Sequence, residues 1–149
     1  MCGIAGFLTV RPASPPPGIL EAMTRAIAHR GPDAFGFHVD PHAHLGHRRL
    51  SIIDLSEAGR QPMYNEDNSL AIVYNGEIFN HAAIRPELEQ KGHRYRSHCD
   101  TETILHAWEE WGAASLTRYR GMFAFAVWDT RRRVLSCARD RLGIKPFYY

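Results

Sequence analysis

Six short apolar runs constrain this chain more than any other feature. Gly3–Thr9, Phe35–Val39, Ala43–Ile53, Leu70–Tyr74, Met122–Trp128 and Val134–Ala138 each read as a β-strand, and turn residues rather than linkers separate them. Helical spacing is confined to the gaps. Ile19, Leu20, Met23 and Ile27 form one apolar stripe that starts after a Pro-rich stretch at 12–17 and stops at Gly31-Pro32. Asp100, read as an N-cap, opens a second helix through Ile104, Leu105, Trp108 and Trp111 to Gly112. Asn80 could cap a third helix reaching Lys91, but Pro86 removes an interior hydrogen bond, so regular helix is expected to start near Pro86. Strands and helices follow one another without regular βαβ alternation, which predicts an α+β fold rather than a doubly wound sheet.

With 149 residues the chain is one domain's worth, large enough for a substantial core. Composition narrows the function classes. The net charge of +2 is too small to advertise a nucleic-acid or anionic-membrane partner. No apolar run approaches the ~20 residues of a membrane helix, and the apolar N-terminus lacks the basic region and cleavage site of a signal peptide. Three cysteines, Cys2, Cys99 and Cys137, cannot all pair within one chain, which points to a reducing, cytoplasmic setting.

Cys2 follows the initiator Met. Excision of Met1 leaves a thiol and a free α-amine on one residue, and an α-amine titrating near ~7.7–8.0 can take a proton at neutral pH. The same cysteine also suits a buried position in the first strand, although Gly3 and Gly6 beside it let a ligand approach the backbone. Asn75-Gly76 after Leu70–Val73 is a hairpin signal and, equally, an amide and a backbone N–H able to donate to an oxyanion. Alternation places Arg49 on one face with His47 and Ser51, opposite Arg48, Leu50 and Ile52. Its guanidinium can be an ordinary solvated cation or a bidentate clamp for a carboxylate. Asp100 is accounted for by capping, while an acid such as Glu77 can bind an ammonium group.

Other chemistries are poorly supported. His38, Asp40, His42, His44 and His47 match no zinc spacing and read as a loop entering a strand, so no metal site is expected. Arg131–Arg133 reads as a solvated turn, and neither a zinc-helix nor a phosphate-loop motif is present.

Taken together, several segments carry a resemblance. They are Met-Cys-Gly-Ile-Ala-Gly at 1–6, His-Arg-Gly-Pro-Asp at 29–33, Gly-His-Arg-Arg-Leu-Ser-Ile-Ile-Asp-Leu at 46–55, Gln-Pro-Met at 61–63, Tyr-Asn-Gly-Glu-Ile-Phe-Asn at 74–80, Cys-Asp-Thr-Glu at 99–102, Gly-Met-Phe-Ala-Phe-Ala at 121–126 and 138–149. The chain resembles, end to end, the class II, N-terminal-nucleophile glutamine amidotransferase domain that opens glutamine-hydrolysing asparagine synthetases. The resemblance implies an αββα four-layer sandwich and a glutaminase reaction. Processed Cys2 attacks the glutamine side-chain amide, its α-amine handles the proton, and Asn75 with the Gly76 N–H holds the oxyanion. Arg49 clamps the substrate carboxylate, Glu77 and Asp100 hold its ammonium group, and Leu50, Ile52 and Ile53 line the pocket.

Phe79 stands where the family often has Tyr. L-glutamine and a synthetase domain are the implied partners, with a homodimer as a further expectation. ATP and magnesium belong to that synthetase domain, and no cofactor is expected in residues 1–149. Lys145–Tyr149 reads as the opening of another strand, so the chain is expected to be a C-terminally truncated glutaminase domain, with the synthetase domain absent. The rival readings are a sibling that feeds ammonia to another acceptor and a non-catalytic interaction module.

Overall fold

The computed structural model describes residues 1–9 and 16–149, so most of the Pro-rich stretch lies outside the described residues. Strands β1 (Gly3–Leu8), β2 (Ala34–Val39) and β3 (Ala43–Arg49) form one antiparallel sheet in the order β1-β3-β2. A second antiparallel sheet contains β4 (Met63–Tyr64), β5 (Leu70–Ile78), β6 (Gly121–Asp129) and β7 (Val134–Arg139) in chain order. Helix α1 (Ile19–Ala26) packs on β1 and β3, while α2 (His81–Gln90) packs on α3 (Asp100–Trp111), which lies on β5. The order through the molecule is therefore helix, sheet, sheet, helices: the expected αββα sandwich.

The period-2 pattern of β5 and β6 builds both interior layers at once. Ile72 and Tyr74 of β5, with Phe123, Phe125 and Val127 of β6, pack under Ile104 and Leu105 of α3. Trp108 adds an edge contact to Phe125, with ring centroids 5.8 Å apart. The alternate residues Ala71, Val73, Ala126 and Trp128 face Ala43 and Leu45 of the other sheet. Each large side chain removed from water in this way stabilises the fold by ~1.5–3 kcal/mol, which fixes the register of the central strands.

Four local expectations are corrected. β3 stops at Arg49 rather than continuing to Ile53, because Ser51 N–H donates to Asp33 (2.8 Å) and the chain then bends around the Arg49 guanidinium. β5 runs through Asn75-Gly76 to Ile78, so this pair is not a hairpin turn; its partner is the distant β6. Helix α2 starts at His81 with Pro86 inside it. Asn80 does not cap that helix with its side chain, which instead accepts from Arg120 N–H (2.8 Å) and donates to the Arg118 carbonyl (3.0 Å), pinning the helix start to the β6 approach. Lys145–Tyr149 lies outside both sheets. Asp140 accepts from Ile144 N–H (2.9 Å) and Lys145 N–H (3.0 Å) and turns the chain away from the β6–β7 ladder.

Candidate active site

Cys2 lies immediately before β1, and the ladder that pairs Gly3 with Arg48 places it beside the end of β3. Its Sγ accepts from Leu50 N–H at 3.4 Å and faces the Leu50 carbonyl at 3.6 Å. Arg30 Nε donates to the Cys2 carbonyl at 3.0 Å, fixing the backbone behind the sulfur. Burial pushes the thiol's pKa up; the Leu50 backbone, the N-terminal ammonium and Arg49 pull it back only in part. At neutral pH the sulfur is therefore a thiol that needs a base to become a nucleophile. His47 on the neighbouring strand β3 has its ring bonded to the Tyr74 carbonyl (3.0 Å), and burial lowers its pKa to about 4.

Asn75 projects from β5 between the sheets, 5% exposed. Strand alternation also fixes the direction of the Gly76 N–H. The N–H groups of Leu70, Tyr74 and Ile78 all point away from β6, to Asn65 Oδ1 (2.9 Å), Gln61 Oε1 (2.6 Å) and Asp100 Oδ2 (2.8 Å). Gly76, of the same parity, directs its N–H off the same edge, between the Tyr74 and Ile78 donors and past the end of the two-residue β4. Glycine is required here because a Cβ would lie 2.3 Å from the Met122 carbonyl oxygen and 2.7 Å from Phe123 Cα.

Asp100 is the first residue of α3 rather than its cap. Cys99 occupies the cap position without a side-chain bond, because the Asp100 carboxylate turns inward instead. Both Tyr74 Oη (2.6 Å) and Ile78 N–H (2.8 Å) donate to its Oδ2, which leaves Oδ1 available to a cation. Burial, and the Asp100 charge after it, push the Tyr74 phenol far up, so it stays a donor.

Arg49 is 7% exposed. It donates through Nη1 to the Ser56 carbonyl (2.8 Å) and through Nη2 to the Asp54 carbonyl. Gly59 packs against this guanidinium where any Cβ would collide with Nη2. The Asp54 side chain takes hydrogen bonds from Ser56 Oγ (2.6 Å) and His98 N–H (3.0 Å), led by the Ser56 hydroxyl in holding its pKa down to about 2. That anion locks the loop that holds Arg49.

All nine residues singled out in the sequence line one cavity of about 130 Å³, roughly four waters' worth of space. Cys2, Asn75 and Gly76 form one part of its wall. Arg49 supplies the positive charge, Glu77 and Asp100 the negative charge, and Leu50, Ile52 and Ile53 the apolar lining; Met1 and Lys145 also line it. A larger cavity of about 410 Å³ shares Cys2 and Asn75 but is otherwise mainly apolar, so the charged cavity is the one suited to an amino acid. The sequence reading missed Arg30, Asp54 and Lys145. Arg30 sits in the His-Arg-Gly-Pro-Asp segment, one of the quoted motifs given no role, while Lys145 is brought in by the Asp140 turn.

His38 Nδ1 meets Tyr64 Oη (3.0 Å), His44 stacks on Phe7 and His47 bonds to β5, which accounts for most of the 38–47 histidine run as packing.

The αββα sandwich, with a cysteine at the head of an edge strand beside an amide and a charged cavity, has the fold class of the N-terminal-nucleophile hydrolases. Comparison with known proteins agrees: the chain matches the glutamine amidotransferase domain family over residues 1–149 and belongs to that family. It is 41% identical to glutamine-hydrolyzing asparagine synthetase 3 of Bacillus subtilis, covering 100% of this chain and 25% of that protein. Identity is 42% to glutamine-hydrolyzing asparagine synthetase 3 of Arabidopsis thaliana, over 99% of this chain and 25% of the relative. The chain thus spans about a quarter of the length of these relatives. The glutamine phosphoribosylpyrophosphate amidotransferase of B. subtilis has the same fold, with a TM-score of 0.71 at 19% identity, covering 97% of this chain and 38% of that one.

Proposed function

We propose that this domain hydrolyses the side-chain amide of L-glutamine through Cys2 and supplies the ammonia to an ATP-dependent asparagine synthetase domain of the same protein. The observation that carries the reading is the single cavity lined together by Cys2, the buried Arg49 guanidinium and the Glu77 and Asp100 carboxylates.

The chemistry follows from that arrangement. Arg49 takes the substrate carboxylate through its remaining N–H donors, while Asp100 Oδ1 and Glu77 take the ammonium group. Cys2 Sγ, freed of its proton by the α-amine that Met1 removal exposes, bonds to the amide carbon. The carbonyl electrons move to oxygen, where Asn75 Nδ2 and the Gly76 N–H donate to the oxyanion. As the C–N bond breaks, the amine returns its proton to the departing nitrogen, and ammonia leaves a glutamyl thioester. Water, deprotonated by the same amine, attacks the thioester and restores the thiol, so glutamine and water give glutamate and ammonia. While Met1 remains attached, the Cys2 nitrogen is an amide and has no lone pair for this work.

The test is ammonia release from glutamine by Met1-free protein beside its Cys2→Ala variant. Turnover by the first and none by the second is expected; turnover by both removes Cys2 as the nucleophile. A second reading, the same module feeding a different acceptor, draws on the 38% identity over the whole of this chain to a relative with another name, amidase chry2 of Gibberella zeae. Asparagine formation by the full-length protein, supplied with glutamine, aspartate and ATP, separates the two readings.

A further inference from the structure

The far end of α3, about two turns beyond Asp100, carries a second group of chemically competent side chains. Glu66 from the β4–β5 turn, His93 from the α2–α3 connection, and His106 and Glu109 from one face of α3 each offer a ligand atom, and all four atoms lie within 4.8 Å of one another. His106 Nδ1 is 3.5 Å from Glu66 Oε2, and His93 Nδ1 is 3.7 Å from Glu66 Oε1 and 3.9 Å from Glu109 Oε2. These are too long for hydrogen bonds and slightly longer than the ~3.3 Å between adjacent ligands on a tetrahedral ion with ~2.0–2.1 Å bonds.

A second observation is independent of that spacing. His106 is 1% exposed, and both of its ring nitrogens are buried without a hydrogen-bond partner. An imidazole left like this costs free energy that a coordinated cation removes. The surroundings also have the form of a metal site's outer layer. His106 Nε2 faces Glu102 Oε1 at 3.7 Å, and that carboxylate is itself fixed by Arg96 N–H (2.8 Å) and Ser97 N–H (2.8 Å). His93 Nε2 faces Glu110 Oε2 at 3.6 Å, and Glu110 is tied to Lys91 Nζ at 2.7 Å. Each histidine thus offers Nδ1 inward and aims its other nitrogen at an anchored carboxylate, the arrangement that orients metal-binding imidazoles.

We infer that Glu66, His93, His106 and Glu109 bind one divalent ion of the zinc class in a tetrahedral site. Two imidazole nitrogens exclude magnesium and calcium as the preferred ions, and two carboxylates balance a double positive charge. The ion ties the β4–β5 turn and the α2–α3 connection to the helix whose first residue, Asp100, faces the glutamine cavity. Its role is to hold the helix layer in place, and it takes no part in the hydrolysis. The inference does not depend on the glutaminase reading.

The test uses the whole chain carrying Cys2→Ala, so that the thiol cannot chelate the metal, titrated separately with Zn²⁺ and Co²⁺. One equivalent is expected to bind, Co²⁺ giving the visible bands of tetrahedral coordination, with Tm raised by roughly 5–10 °C at about a hundredfold excess over Kd. Glu109→Gln, on an exposed residue, and His93→Gln are each expected to weaken binding at least ~10-fold, with far-ultraviolet circular dichroism showing the fold intact. Absence of saturable binding, octahedral Co²⁺ spectra, or one-to-one binding unchanged in both variants overturns the inference. The last result places the ion elsewhere, and the first leaves the four side chains as packing between the helices and the β4–β5 turn.

Discussion

Gly76→Ala tests how closely β5 and β6 approach beneath the edge proposed to hold the oxyanion. Gly76 does not have a positive φ, so the substitution carries no backbone strain of the left-handed kind, and its cost is steric. The added Cβ would meet the Met122 carbonyl oxygen at 2.3 Å, Phe123 Cα at 2.7 Å and Tyr74 Cε2 at 2.9 Å. Two of these three atoms belong to the β6 backbone and cannot swing aside. Restoring ordinary contact requires the strands to part by about 1 Å, which weakens two ladder hydrogen bonds at ~1 kcal/mol each and adds an overpacking cost of ~1–3 kcal/mol. The expected destabilisation is about 3–5 kcal/mol. A 1 Å displacement of Asn75 and the Gly76 N–H from Cys2 also lowers kcat by up to about 10²-fold. Urea unfolding gives the first quantity and steady-state ammonia release, measured well below the unfolding midpoint, gives the second. A variant within ~0.5 kcal/mol of the parent and with unchanged kcat would show that the strands do not meet as described and that the oxyanion donors lie elsewhere.

Further expectations concern single side chains. Asn75→Ala should lower kcat by about 10²–10³ with little change in KM, because it removes one donor used only in the transition state; an equal loss through KM alone would assign Asn75 to substrate binding. Arg49→Lys should raise KM at least ~10-fold with a smaller effect on kcat, since a point charge replaces the planar fork held by the Asp54 and Ser56 carbonyls, and unchanged kcat/KM removes the carboxylate clamp. His47, with a folded pKa of about 4 against 6.5 in the unfolded chain, is protonated more readily when unfolded. Its contribution is fully present above pH 6.5 and fades as pH falls towards 4, amounting to about 2 kcal/mol lost by pH 5. Unfolding free energies at pH 7 and pH 5 should differ by that much more in the parent than in His47→Gln, and parallel pH profiles would refute the burial argument.

The α+β class was legible in strand periodicity, while the nine residues that share one cavity came from the family resemblance, carried by compact motifs that keep their order. What was not legible depended on distant partners. Asn75-Gly76 reads locally as a turn, and only β6, more than forty residues later, makes it a strand interior. Asp100 reads as a cap until Tyr74 and Ile78 draw its carboxylate inward. Pro86 argues for a late helix start, yet the Asn80 bonds to Arg118 and Arg120 hold the earlier turn in place. The Glu66, His93, His106 and Glu109 group escaped notice for the same reason: its members come from three separate segments, and only the His106/Glu109 pair has a helical spacing.

The central claim is that Cys2, released from Met1, becomes acylated by glutamine. Rapid mixing of the protein with glutamine, an acid quench and mass spectrometry of the N-terminal peptide test it directly. A glutamyl adduct, labile to hydroxylamine, is expected on peptides that begin at Cys2, and none on peptides that retain Met1. Ammonia release with the adduct absent, or an equal adduct on Met1-retaining peptide, contradicts the account.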